Sequence, residues 1–182
     1  MEFLGFGGPN PGKKDSRGFT LVELLVVIAI ISVLATLLLL QLGVARAKAR
    51  DAKRIADVNQ VRSALELYFD DNGSYLANNV MTPLASRYLI NIPKDPLAPG
   101  CTDTYGGTGT GPGFCYGYAW TSTVTAPAKM MIWAELEQNN RNALGNDTDI
   151  NSTGWSGAPQ TGATEVCAVT NAVDCVYDSG QP

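Results

Sequence analysis

The hydrophobic positions of this chain are gathered near one end. Residues 24–45 are twenty-two consecutive positions without a charge, dominated by Leu, Val, Ile and Ala. A helix of that length at about 1.5 Å per residue spans a hydrocarbon core of roughly 30 Å. The pattern then turns amphipathic, with Ile55, Val58, Val61, Leu65, Tyr68 and Phe69 at helical spacing and no Pro to interrupt them. Asp70, Asp71, Asn72, Gly73 and Ser74 supply turn and C-cap chemistry. The spacing therefore predicts one helix over residues 20–71, about 78 Å long at the standard rise. Beyond a Gly/Thr-rich stretch at 100–113, the aromatic and β-favouring runs 114–121 and 129–136 predict a hairpin. Weaker strand signals at 166–169 and 175–177 would add an edge. The expected fold class is α+β, a long N-terminal helix packed on a small antiparallel sheet.

Charge divides the chain as well. Residues 1–54 carry eight Lys/Arg against four Asp/Glu, and residues 55–182 carry five against thirteen. The acidic distal part gives no reason to expect nucleic acid as a partner. The basic run Arg46, Lys48, Arg50, Lys53 and Arg54 follows the apolar stretch directly and reads as a solvated helix face at headgroup level. Counted alone, that run opposes an orientation with residues 1–18 in the cytoplasm, which Lys13, Lys14 and Arg17 favour.

With no His, the chain cannot build a Ser-His-Asp or Cys-His site or a His-ligated metal centre. No Gly-rich loop ending in Lys-Ser/Thr is present to hold a nucleotide. The four cysteines, Cys101, Cys115, Cys167 and Cys175, lack CxxC spacing and read as two structural disulfides in an oxidising compartment. Three connectivities are open, and local stapling favours Cys101 with Cys115 and Cys167 with Cys175. Tyr118, Trp120 and Trp133 alternate along the strand runs and read as sheet packing.

Residues 1–18 are a polar, basic stub ahead of an apolar run longer than an ordinary secretory signal carries, although Ala45, Arg46 and Ala47 imitate a signal-cleavage site. A lipoprotein would need a Cys at the end of the run, and the first is Cys101. The order Arg17, Gly18, Phe19, Thr20, Leu21, Val22, Glu23, Leu24, Leu25 resembles the N-terminal motif of type IV prepilins and of type II secretion pseudopilins. The stretches 67–75 and 88–96 are similar to the region after the helix in major pseudopilins and many small pilins. Many relatives have a Pro partway along the apolar half, where this chain has Leu40 and then Gly43.

The resemblance implies a leader at 1–18, a transmembrane and polymerisation helix at 19–45, its amphipathic continuation at 46–72 and a globular head at 73–182. It implies that a prepilin peptidase cuts between Gly18 and Phe19 and methylates the new amino group of Phe19. It implies too that Glu23 meets the Phe19 amine of a neighbouring subunit, since an ionised carboxylate in lipid persists only with a partner or a purpose. The expected function is a structural, non-enzymatic subunit of a type IV pilus, with a major pseudopilin of a type II secretion system as the alternative. Expected partners are like subunits, the prepilin peptidase, and an inner-membrane assembly platform with its ATPase. The chain would begin as a single-pass membrane protein with its head outside the cytoplasm and end in an extracellular or periplasmic filament. No cofactor is required. Asp147, Asp149 and Asn151 have the alternating oxygen spacing of half a calcium loop, without that loop's Gly and Glu, and calcium is an expectation there. The Asn-x-Ser/Thr sequons at Asn72, Asn146 and Asn151 are short enough to arise by chance.

Overall fold

The computed structural model describes residues 18–98, 100–107, 115–121, 126–138, 141–145, 147–159 and 176–181. The chain divides into two compact units, Met1–Leu42 and Gly43–Pro182, with helix α1 (Leu21–Asn72) contributing to both. The observed helix matches the expected one to within a residue at each end. Gly73 closes it with φ +72°, a left-handed conformation that only glycine adopts freely, and its N–H donates to Phe69 O at 2.7 Å.

In the first unit every described side chain of α1 is exposed, including Leu24, Ile28, Ile31, Leu34 and Leu38. This stretch is long and apolar enough to cross a membrane. Its polar hydroxyls are absorbed by the helix itself, Ser32 Oγ donating to Ile28 O and Thr36 Oγ1 to Val33 O. That arrangement satisfies groups for which a hydrocarbon solvent offers no partner.

The second unit holds a four-stranded antiparallel sheet ordered β3-β1-β2-β4, from β1 (Gly117–Trp120), β2 (Met130–Glu135), β3 (Ser156–Gly157) and β4 (Val176–Gly180). The expected hairpin is β1 with β2, paired Gly117 to Trp133 through Trp120 to Met130. Among the described residues, 115, 116 and 121 of the first expected run and 129 and 136 of the second lie outside the strands. Strand β4 extends the expected 175–177 signal to Gly180, whereas 166–169 lies outside the described residues. Strand β3 and the single helical turn α2 (Arg141–Leu144) carried no periodic signal and were not expected.

Alternation along β2 builds two apolar layers. Met130, Ile132 and Ala134 join Val58, Val61, Ala64 and Leu65 of α1 in the main core, with Leu76, Met81, Leu84 and Leu89 closing it. Met131 and Trp133 join Ile150, Ala158 and Val176 in a second cluster. The packing reading of the aromatics holds: Tyr118 is fully buried with its hydroxyl on Leu76 O, and Trp133 Nε1 donates to Ala158 O at 2.9 Å. Gly117 is required by its cross-strand partner, since a Cβ there would fall 2.0 Å from Trp133 Cε2.

Candidate functional site

Two polar constellations stand out against this apolar framework. The first opens α1. Gly18 and Phe19 precede the helix, Phe19 is 90% exposed, and nothing lies within 4 Å of where a Gly18 Cβ would be. Thr20 and Glu23 form a reciprocal capping box. The Thr20 N–H and hydroxyl both donate to Glu23 Oε2, at 2.8 and 2.7 Å, and the Glu23 N–H donates to Thr20 Oγ1 at 3.3 Å. An acid three residues after a Thr is thus held at the helix N-terminus, where the macrodipole favours negative charge. Only one carboxylate oxygen is used, and Oε1 has no hydrogen bond among the described residues.

The second lies on α1 within the second unit and corrects the reading of the basic run as a solvated face. Arg46 and Lys48 are exposed, but Arg54 has no solvent exposure at all. Its Nε donates to Asp95 Oδ2 at 2.5 Å and its Nη2 to Asp95 Oδ1 at 3.2 Å, while Nη1 donates to Asp51 Oδ1 at 2.8 Å and Glu137 Oε1 at 2.7 Å. Arg50 grips the same Glu137 through Nε at 2.6 Å and through Nη2. Asp51 also accepts the backbone N–H groups of Glu137 and Gln138, at 2.8 and 2.9 Å, which ties the exit of β2 to the helix. One turn on, Asp57 takes Lys53 and the buried Tyr116 hydroxyl, the latter at 2.6 Å.

Burial by itself would lower the Arg54 guanidinium, but its bonds to Asp95 and Glu137 outweigh that and hold it above its ordinary value. The hydrogen bonds from Arg50 hold the Glu137 carboxyl below the usual glutamate range against the opposing effect of burial. Burial, followed by the bond to Asp57, pushes the Tyr116 hydroxyl up. The paired, hydrogen-bonded charges fix the geometry of the segments that carry them. The signal that could have found it is spacing: positions 47, 51, 54, 58, 61 and 65 form one buried stripe, and two of its early members are charged.

Of the cysteines, Cys101 and Cys115 are joined as expected, with Cα atoms 5.5 Å apart, while Cys167 and Cys175 lie outside the described residues. In the acidic loop, Asp147 Oδ2 accepts the Asp178 N–H at 3.4 Å and Asn151 Oδ1 accepts the Thr153 N–H at 3.0 Å. Asp149 sits in the left-handed region at φ +46°. Asp178, which sequence reasoning did not single out, is buried and accepts the N–H groups of Thr148 and Ile150, and burial raises its carboxyl. Among the described residues no group of three or more Asp, Glu, Cys or His side chains is arranged to hold a metal ion. Asn146 lies outside them.

A family model described as the prokaryotic N-terminal methylation motif matches residues 13–39, which include Gly18, Phe19 and Glu23. The chain is 45% identical over 65 residues to the type IV wide pilus major component PilA4 of Thermus thermophilus, covering 36% of this chain and 50% of that protein. It is 36% identical over 95 residues to the type II secretion system core protein G of Escherichia coli, covering 44% and 66%. It is 38% identical over 99 residues to core protein G of Aeromonas hydrophila, covering 46% and 69%. The chain thus spans half the length of the pilus component and about two thirds of each core protein G. No solved structure matches it.

Two outcomes follow from the buried cluster. Arg54→Ala leaves three carboxylates facing a void and should cost about 3–5 kcal/mol of unfolding free energy, read by denaturant titration of the full chain in detergent. Because Glu137 titrates lower in the fold than when unfolded, its contribution is complete above the ordinary glutamate value of about 4.3 and is lost as pH falls through the folded value beneath it. Denaturation midpoints below about pH 4.3 should therefore fall more steeply in the parent than in Glu137→Gln, with Asp178 acting in the opposite sense.

Proposed function

We propose, from the premise that this chain belongs to the family of type IV pilins and type II secretion pseudopilins, that it is a non-enzymatic subunit of a type IV pilus. The observation that carries this reading is an exposed apolar helical stretch, free of charge from residue 24 to 45, that is preceded by Phe19 and Thr20 and opens with Glu23 in its first turn. Apolar side chains in such number are stable in lipid or against like helices, and not in water. Cleavage after the exposed Gly18 by the prepilin peptidase would free the amino group of Phe19, which methylation leaves cationic. That charge would sit one residue before the capping box, at the same helix end as Glu23.

The capping box divides the carboxylate between two tasks. Thr20 occupies Oε2 within the subunit, and Oε1 would take the Phe19 ammonium of a neighbour. A carboxylate in the membrane costs on the order of 2.5–3.5 kcal/mol at the bilayer centre, and a neighbouring cation relieves that cost only when subunits meet in register. In this account the head lies outside the cytoplasm, and the assembly platform and its ATPase supply the work of extraction. A second reading, a periplasmic type II secretion filament, is favoured by the extent of the likeness to core protein G, 69% of that protein's length in Aeromonas hydrophila. Calcium binding by Asp147, Asp149 and Asn151 is a separate proposal that the filament reading does not need, and calorimetric titration with calcium decides it.

Glu23→Ala tests the reading. The variant should be processed and membrane-inserted like the parent while its recovery in filaments drops at least about tenfold, as loss of a charge pair in lipid requires. Unchanged filament yield would sink the role. In the parent, filaments recovered by shearing whole cells support the pilus, and filaments confined to the envelope support the secretion system.

A further inference from the structure

The three acids around Arg54 reach it by unequal means. Asp51 is on the same helix, and Glu137 stands two residues beyond β2, where Asp51 holds its backbone N–H. Asp95 arrives on a segment that has neither helix nor strand. Its turn is bonded internally, Leu97 N–H to Asp95 Oδ1 at 2.7 Å, Ala98 N–H to Asp95 O at 3.1 Å and Cys101 N–H to Ala98 O at 3.0 Å. Outside the turn, its neighbours Pro93 and Lys94 are held by single bonds from Tyr105 and Lys53 to their carbonyls and by an exposed Lys94–Asp103 pair. The covalent tie is Cys101 to Cys115, and Cys115 directly precedes Tyr116, whose hydroxyl is anchored on Asp57 one turn from Arg54. The disulfide therefore joins the turn that carries Asp95 to the strand entry that is already docked on the same stretch of helix.

The geometry points to a redox clamp: the Cys101–Cys115 disulfide holds the Asp95 turn over Arg54, so that burial of the guanidinium is complete only in the oxidised chain. Closing the clamp removes one hydrogen from each thiol. The two electrons and two protons pass to an exported disulfide-bearing oxidant by thiol–disulfide exchange, which leaves that oxidant as a dithiol. Opening it reverses the flow. In the dithiol chain Arg54 keeps Asp51 and Glu137 but loses the paired oxygens of Asp95, and water reaches a side chain that the closed form seals. The head of the subunit is thus finished by oxidation, whichever filament it enters.

Amide hydrogen exchange read by mass spectrometry on the full chain in detergent tests this, with and without dithiothreitol. Reduction should speed exchange about tenfold or more over residues 50–57 and 93–101 while β1 and β2 keep their protection, the pattern of a local opening. Asp95→Asn with the disulfide intact should speed exchange over 50–57 in the same way. Three results would overturn the clamp: no change on reduction, a uniform acceleration that includes β1 and β2, or an Asp95→Asn chain that exchanges like the parent.

Discussion

Arg54 is the charge on which the packing of three segments of the second unit depends. A guanidinium removed from water loses far more than any single surface ion pair returns, so it is tolerable only with its donors filled by well-placed carboxylate oxygens. Here the acids come from the helix itself, from the Asp95 turn and from the exit of β2. Each of those segments is thereby told where to sit. Apolar contacts from Val58, Val61 and Leu65 bind the sheet to the helix without specifying direction, whereas the cluster at residues 50–57 admits one arrangement of donors and acceptors.

The same helix presents two kinds of surface. Among the described side chains of residues 24–45 it exposes apolar groups and keeps its hydroxyls on its own carbonyls, the arrangement a lipid span requires. From Ala47 onward a narrow buried stripe appears, first small, then charged, then apolar. Arg46 and Lys48 stay in solvent between these regimes, while Arg50, Lys53 and Arg54 are taken up by Glu137, Asp57 and Asp95. A basic run that looks uniform in the sequence is two exposed cations followed by three that are paired with carboxylates.

Much of this was legible because the signals are local and long. Fifty-two residues of helix with a Gly C-cap, and two alternating strands, repeat their pattern often enough to be read from the chain alone. The likeness at residues 17–25 named the family because it joins unlike features in fixed order, a basic stub, a Gly, a Phe and one acid in an apolar run. The Arg54 cluster escaped because its partners lie 41 and 83 residues away and no local pattern links them. Charged residues at stripe positions were read by type, although their spacing placed them with Val58 and Val61. Strand β3 escaped because two residues have no period, and Asp178 because its role, holding the Thr148 and Ile150 amides, exists only once the acidic loop has folded back on β4.

In the proposed pathway the prepilin peptidase cuts this chain after Gly18, and the new N-terminus leads it into a filament. Intact mass with N-terminal sequencing of the protein from its native cells tests it most directly. Such processing leaves a mature chain that begins at Phe19 and carries one added methyl group on the α-amine. An uncut leader, or an N-terminus near Lys48 as an ordinary signal peptidase would leave, would contradict it.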